Sequence, residues 1–546
     1  IMDRNTESHF SNLPIIDIDR SKFERPHDHK FTYNTGDLIP IYVDEVLPGD
    51  TVSMKVGSIT RMTTPLYPVL DNCWQDVYFF YVPTRLLWEH WEEFWGENKT
   101  THWEQPVEYE IPQIEAPEGG WDFDTIADYM GIPPKVDGIS VSHLPFRAYV
   151  KIWNDWFRDE NLKDPCMMNE DDTTLTGSNT GDYVINAQLG AKPLKAAKAH
   201  DYYTSALPSP QKGPSVQIPL GKLTPVITGN AHTIPDTTMQ FATESTLSAG
   251  TKYNAVLTGI STASAELATA DVYSGSESTK KFIPNNLWAD LSEATAATIT
   301  QLRMAFQIQK FYEAQARGGT RYIEFLKNIF GVTSPDARLQ RAEYLGGYRT
   351  PINISQVIQT SATDAISPQG NTGAFSYTPD NQDVFTHSFV EHGYMIGLAV
   401  VRTDHTYQQG IERFWNRKKW SDFYIPQFAN LSEQAILNKE IYVTGTSADD
   451  EAFGYQEAWA DYRYKPSRIS GHLRSSYPQT LDSWTYADNY SEQPILSSEW
   501  IDETDANVAR TLAVQDEDQF ISDFYFDSVW VRPMPVYSVP GLIDHH

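Results

Sequence analysis

The chain has 546 residues, 40% of them hydrophobic and 13% aromatic, enough to build a large core in roughly two to four domains or in one domain with long insertions. Its 42 basic and 72 acidic residues leave a formal charge of −30, which excludes a surface that is basic throughout, so nucleic acid would be met through a local patch or a basic partner. No apolar run is long enough to span a membrane as a helix, and Cys73 and Cys166 are too few for a disulfide framework, so two free thiols in a reducing compartment are expected.

In chain order, residues 1–35 mix charges, prolines and histidines without periodicity and are expected to form an extended arm. The opening IMDRNTESHF is polar and lacks the apolar centre of a signal peptide. Asp17 and Asp19 begin like a calcium loop, but Lys22 stands where such a loop needs glycine. His27-Asp28-His29 supplies only a fragment of a metal site, so no metal or other cofactor is expected. Strands are expected at LIPIYVDEVL (38–47), TVSMKVGSITRM (51–62) and WQDVYFFYVPT (74–84), which are rich in β-branched and aromatic residues and separated by turn signals. RLLWEHWEEFWGEN (85–98) then spaces Leu87, Trp88, Trp91 and Trp95 along one face of a helix that packs into a core or an interface, and PFRAYVKIWNDWFRDENL (145–162) reads likewise.

Composition changes in the middle of the chain. Between 222 and 282, 19 of 61 residues are Ser or Thr and none is Trp, so this stretch has little to add to a common core. It is expected to be an insertion displayed outward, with pieces such as KYNAVLTGI pairing into hairpins; a linker is the plainer alternative. Helix returns at 296–330, with Leu302 and Phe306 on one face and Met304, Ile308, Phe311 and Tyr312 on another, so burial on more than one side is expected. Within it, Arg317-Gly318-Gly319-Thr320 resembles a phosphate loop only superficially, because a helix enters it where a strand should. Gly318 suits a left-handed cap after Arg317, and Thr320 suits the N-cap of the next helix, which makes the four residues a helix–turn–helix corner.

Beyond 340 the pattern is again strands and long loops, clearest at FVEHGYMIGLAVVRTD (389–404) and FISDFYFDSVWVRPMPVYSV (520–539). Strands distant in sequence with long insertions between them suit an antiparallel sandwich or jelly roll closed by a C-terminal strand. RFWNRKKW (413–420) sets Arg413, Arg417, Lys418 and Lys419 beside Trp415 and Trp420. Cations interleaved with flat rings suit single-stranded nucleic acid, but an interface patch making cation–π contacts with a neighbouring chain is the plainer reading. Residues 501–530 carry eight acidic groups and one basic, expected as a solvated face. No His-Glu-x-x-His, Gly-x-Ser-x-Gly or paired Cys-x-x-Cys occurs. The tryptophan and carboxylate content leaves a secreted carbohydrate-active β-sandwich enzyme or lectin as the alternative.

FYIPQFANLSEQAILNKEIY (423–442), FGYQEAWADYRYKPSRISGHLRS (453–475) and ARGGTRYIEFLKNIFGV (316–332) resemble the major capsid protein of gokushoviruses, the small single-stranded DNA phages of the Microviridae. Residues 65–98 and 8–31 are similar to it too, and only about 165–295 lies outside the likeness. The resemblance implies a mainly β fold, a single eight-stranded antiparallel jelly-roll barrel with long loop and helical insertions, and no enzyme activity. It also implies sixty copies in a T=1 icosahedral virion, assembled in the host bacterial cytoplasm around circular single-stranded DNA. A small basic internal protein, a minor pilot protein and a bacterial surface receptor are the further partners. The chain would then divide into an N-terminal arm (1–35), a first part of the jelly roll with insertions (36–164), a variable insertion (165–295) whose core 222–282 forms a threefold protrusion, and a helical corner with the remainder of the roll (296–546). Thr251, Tyr253, Asn254 and Tyr273 are the candidate receptor-facing residues on that protrusion.

Overall fold

Nine strands form two antiparallel sheets in a computed structural model of the chain. The structure describes residues 19–97, 99, 108–214, 299–318, 324, 326–331, 340–361, 363 and 368–537, with the backbone of short strands between 226 and 289. The strands are β1 (Ser21–Glu24), β2 (His27–Tyr33), β3 (Ile39–Val46), β4 (Thr51–Met62), β5 (Cys73–Pro83), β6 (Glu343–Pro351), β7 (Thr378–Ser388), β8 (Gly393–Thr403) and β9 (Phe520–Arg532). One sheet runs β2–β9–β4–β7, with β1 also on β9, and the other runs β6–β5–β8–β3. From β2 to β5 the chain alternates between the sheets, β6 stays beside β5, and β7, β8 and β9 alternate again, which is jelly-roll connectivity.

The expected count was eight strands. The ninth arises because β1 and β2 occupy successive stretches of one edge of β9, Ser21–Glu24 against Val529–Arg532 and His27–Tyr33 against Phe520–Phe526. Between them stands Pro26, which has no N–H to give to a ladder. Part of the stretch read as an extended arm thus runs as sheet edge; residues 1–18 lie outside the described residues.

Alternation along the strands sets the core. β4 buries Val52, Met54 and Val56 and turns Lys55, Ile59 and Arg61 outward. β9 alternates in step, burying Phe520, Phe524, Phe526 and Trp530 against Phe79, Met395 and Val401 of the other sheet. β5 and β8 are buried on both faces, because a second cluster covers the far side of their sheet. There Phe80, Val82, Leu398 and Val400 meet Trp88, Trp121, Trp153 and the helix α1 (Leu144–Ile152). Among the described residues, one sheet is therefore covered by the chain's own insertions and the other keeps an exposed face.

Two expectations need correction. Residues 85–98 do not form one helix: a 3-10 turn, Thr84–Leu86, is followed by a single α-helical turn, Trp91–Phe94. The backbone N–H of Glu89 goes instead to Glu170 O at 3.0 Å, and the buried Trp88 indole donates to Asp172 at 2.6 Å, so tertiary partners outcompete helical bonds. The acidic 501–530 stretch is not a solvated face, since it holds the buried Glu503 and most of β9.

Residues Gln211–Arg317 form a compact unit of their own, separate from Ile1–Pro210 with Gly318–His546. In it Tyr253–Ser261 pairs antiparallel with Ser264–Thr269, and Gln240–Thr243 pairs with both Tyr253–Ser261 and Phe282–Pro284. The helix α2 (Ile299–Gly318) has one half-buried stripe through Leu302, Ile308 and Tyr312, whereas Met304 and Phe306 are 65% and 61% exposed. The two-sided burial expected of it is not found in the single chain. Both cysteines are free and buried.

Candidate subunit and nucleic-acid interface

Residues 412–422 form a surface loop built from two short 3-10 turns, Arg413–Asn416 and Trp420–Asp422. The Asp422 carboxylate accepts the backbone N–H groups of Lys418 and Lys419, each at 2.8 Å, and these bonds hold its pKa below the usual carboxylate range. Gly410, just before the loop, lies so close to the Glu440 carbonyl that an added Cβ would stand 1.9 Å from it.

The six candidate residues separate into an inner and an outer set. Arg413 donates to Ala435 O at 2.7 Å and pairs at 3.2 Å with Glu440, whose side chain is buried. Burial raises the Glu440 pKa, and Arg413 works against that rise. Arg417 ion-pairs with Asp461 and lies 4.4 Å over the Tyr462 ring. Glu412 holds Lys465 at 2.6 Å and Arg468 at 2.8 Å. Apart from Arg468, these pairs line a cavity of 270 Å³ together with Phe414, Tyr464, Tyr202 and Tyr203. The outer set is Lys418 and Lys419, exposed and without an ion pair among the described residues, beside Trp415 and Trp420, which are 70% and 72% exposed. Sequence reading counted four cations as available; the fold turns two of them inward as structural clamps.

The other candidates are not brought to this place. Arg317 and Gly318 end α2, while Gly319 and Thr320 lie outside the described residues. Tyr253 and Asn254 begin the strand Tyr253–Ser261, and Thr251 and Tyr273 lie outside the described residues. His27 and His29 fall on one face of β2, where His27 stacks on Phe526 at 5.2 Å and His29 Nδ1 sits 3.0 Å from Ile41 O.

One buried cluster had no sequence signal. His405 Nδ1 lies 3.0 Å from Asp488 and its Nε2 3.1 Å from Glu503, all three being buried. The remaining carboxylate oxygens accept from Asn507 at 2.6 Å and Thr403 at 2.8 Å. Both ring nitrogens face carboxylates, so both carry protons and the ring is an imidazolium. Burial opposes that charge, but the two acids outweigh it and push the His405 pKa up to about 10. The partners are far apart in the chain, which is why no local motif reveals them. With every member satisfied, the cluster is a structural lock rather than a reactive centre.

A model of the capsid protein (F protein) family of phages matches residues 11–542. The chain belongs to this phage capsid protein family. It is 45% identical over 541 residues to the capsid protein VP1 of Spiroplasma virus 4, covering 98% of this chain and 97% of that protein. It is 42% identical to the capsid protein VP1 of Bdellovibrio phage phiMH2K, with 98% of each chain covered, and 39% identical to that of Chlamydia phage 1, again over 98% of each. The likeness to gokushovirus major capsid proteins read from the sequence is borne out. The capsid chain is a structural protein of the virion and not an enzyme, and its jelly roll is a shell-building fold. The carbohydrate-active alternative falls away.

Proposed function

We propose that the protein assembles as sixty copies into a T=1 icosahedral shell around circular single-stranded DNA in the cytoplasm of a host bacterium. The observation that carries this reading is the match of nearly the whole chain to a family of phage capsid proteins, on a jelly roll that leaves large aromatic side chains at its surface. Lys418, Lys419, Trp415 and Trp420 are its DNA-facing group: phosphate contacts from the two free lysines, base stacking on the two rings.

Charge argues for further partners. Sixty copies at −30 carry about 1800 formal negative charges, and encoding this chain alone takes about 1600 phosphates. Two lysines per copy do not bridge that repulsion, so a small basic internal protein or polyamines neutralise much of the genome. The exposed face of the β9-containing sheet is consistent with a basic partner, since a trough of 530 Å³ at Gly57 is lined by Asp380, Asp523 and Asp527 against a single lysine, Lys55, although Lys30 already lies 3.5 Å from Asp523. A minor pilot protein and a bacterial surface receptor complete the set, with the Ser- and Thr-rich core 222–282 displayed at the threefold axes for the receptor. Negative-stain imaging with size-exclusion chromatography tests the shell: particles of tens of nanometres are expected, and a chain that remains a 62.0 kDa species under every assembly condition overturns the reading.

A further inference from the structure

The chain between β6 and β7 leaves the sandwich as a ribbon of two antiparallel strands, Ile354–Ile358 and Thr372–Ser376. They pair only with each other among the described residues. The root of the ribbon is anchored: Ile352 and Ala374 are buried, Ile354 packs against the main core, and Asn353 N–H donates to Thr378 Oγ1 at 2.8 Å. Register then decides which residues share the free face. Ser355 pairs with Phe375 and Val357 with Gly373, so Val357 and Phe375 are diagonal neighbours on one side. They are 47% and 51% exposed, and Gly373 beside them leaves the strip open, with nothing near where its Cβ would stand. An adjoining trough of 450 Å³ runs between the ribbon and Leu66 and Tyr67.

A two-stranded ribbon with little packing behind it is marginal in water. An exposed strand edge is ordinarily protected by lysine, proline or an inward charge. Here ISQVIQTS (354–361) and NTGAFSY (371–377) contain no charged residue and no proline, in a chain that is 21% charged. Unprotected β-forming sequence of this kind is stable in a native protein when a partner covers it. The same neutrality selects the partner. DNA needs cations that the ribbon lacks, and a basic protein needs more acid than Asp364, the one charged residue in the loop joining the strands. A shell protein's standing neighbour is another copy of itself.

We propose that the ribbon's Val357–Phe375 face docks on a second copy of this chain and is one of the lateral contacts that close the shell. The proposal rests on the shell-forming reading above and adds the surface that does the joining.

The full-length chain carrying V357K or F375K tests it, with Val357→Ile as the conservative control. Both lysines point into solvent in the free chain, so its thermal unfolding and circular dichroism should match wild type. Particle yield at fixed protein concentration should fall at least tenfold for each lysine variant and stay near wild type for the isoleucine. Hydrogen exchange of wild type supplies the second readout. Amides of 354–358 and 372–376 should exchange freely in the unassembled chain and at least a hundredfold more slowly in particles. Lysine variants that assemble normally, or ribbon amides that exchange equally fast in particles, overturn the proposal while leaving the shell intact. Normal particles that no longer adsorb to the host also overturn it, by making the ribbon a host-facing surface. Failure of wild type to form any particle overturns the shell reading and the ribbon contact with it.

Discussion

His405 shows how one residue can tie remote parts of the chain together. Its imidazolium bridges Asp488 and Glu503 in a site closed to water. Its pKa stands at about 10 against an ordinary 6.5, so its contribution to stability is fully present below 6.5 and is lost as pH rises through 10. Asp488 is penalised by burial, yet His405 outweighs that and holds it down to about 2 against an ordinary 3.8. Its contribution is present above 3.8 and is lost as pH falls through 2. Urea unfolding of the unassembled chain should therefore be most resistant, for this cluster, between about pH 4 and 6.5. His405→Gln should cost about 3–5 kcal/mol at pH 6, because it strands two carboxylates in the interior. A flat pH profile for wild type above 6.5, or a loss below about 1 kcal/mol in the variant, would show that the ring is not charged as described. Chemistry at this scale was hidden in the sequence. The cluster's members come from segments that only the fold brings together, just as the inward turn of Arg413 and Arg417 depends on Glu440 and Asp461.

At the scale of elements, strands were the most legible feature. β4 and β9 alternate apolar and polar residues, and that pattern follows directly from a sheet with one face on the core and one in water. β5 and β8, covered on both sides, keep strand length and β-branched content and so remain recognisable. Helices were less legible. The 85–98 stretch has helical spacing, but Trp88 and Glu89 find their partners in residues 170–172, and the helix shrinks to one turn. The 413–420 loop shows the same limit, since its composition named the right residues and overstated its free charge. Charge reversal should be confined to K418E and K419E, because Arg417 is needed by Asp461. The double variant should yield shells with less packaged DNA, read from the absorbance ratio of purified particles, and empty shells should still form. If shells fail to form, the loop is a contact between copies and not a DNA surface.

For the whole molecule, net charge and assembly oppose each other. Copies that each carry −30 repel until ions screen them, over about 10 Å at 0.1 M salt and 3 Å at 1 M. Particle yield should accordingly rise with ionic strength from about 0.01 to 0.5 M in light-scattering assays. A fall with salt would mean that intercopy ion pairs, and not apolar contacts such as the ribbon face, hold the shell. The proposed receptor role of 222–282 is tested by replacing that segment with a short linker: particles should persist and adsorption to the host should be lost. Unchanged adsorption would remove that role.

The sequence alone determined the class of the protein: a β sandwich of long-range strand pairs, an acidic surface, no enzyme motif, and stretches long enough to place it among phage capsid proteins. These are properties of local pattern and composition, and each is written within a few tens of residues. Tertiary structure decided which sheet face stays open, which arginines are spent inside the loop, where the charged histidine is locked, and which uncharged ribbon stands free. Those depend on residues well separated in the chain meeting in the folded molecule, where a charge must find its partner or stay at the surface, and no local pattern records that meeting.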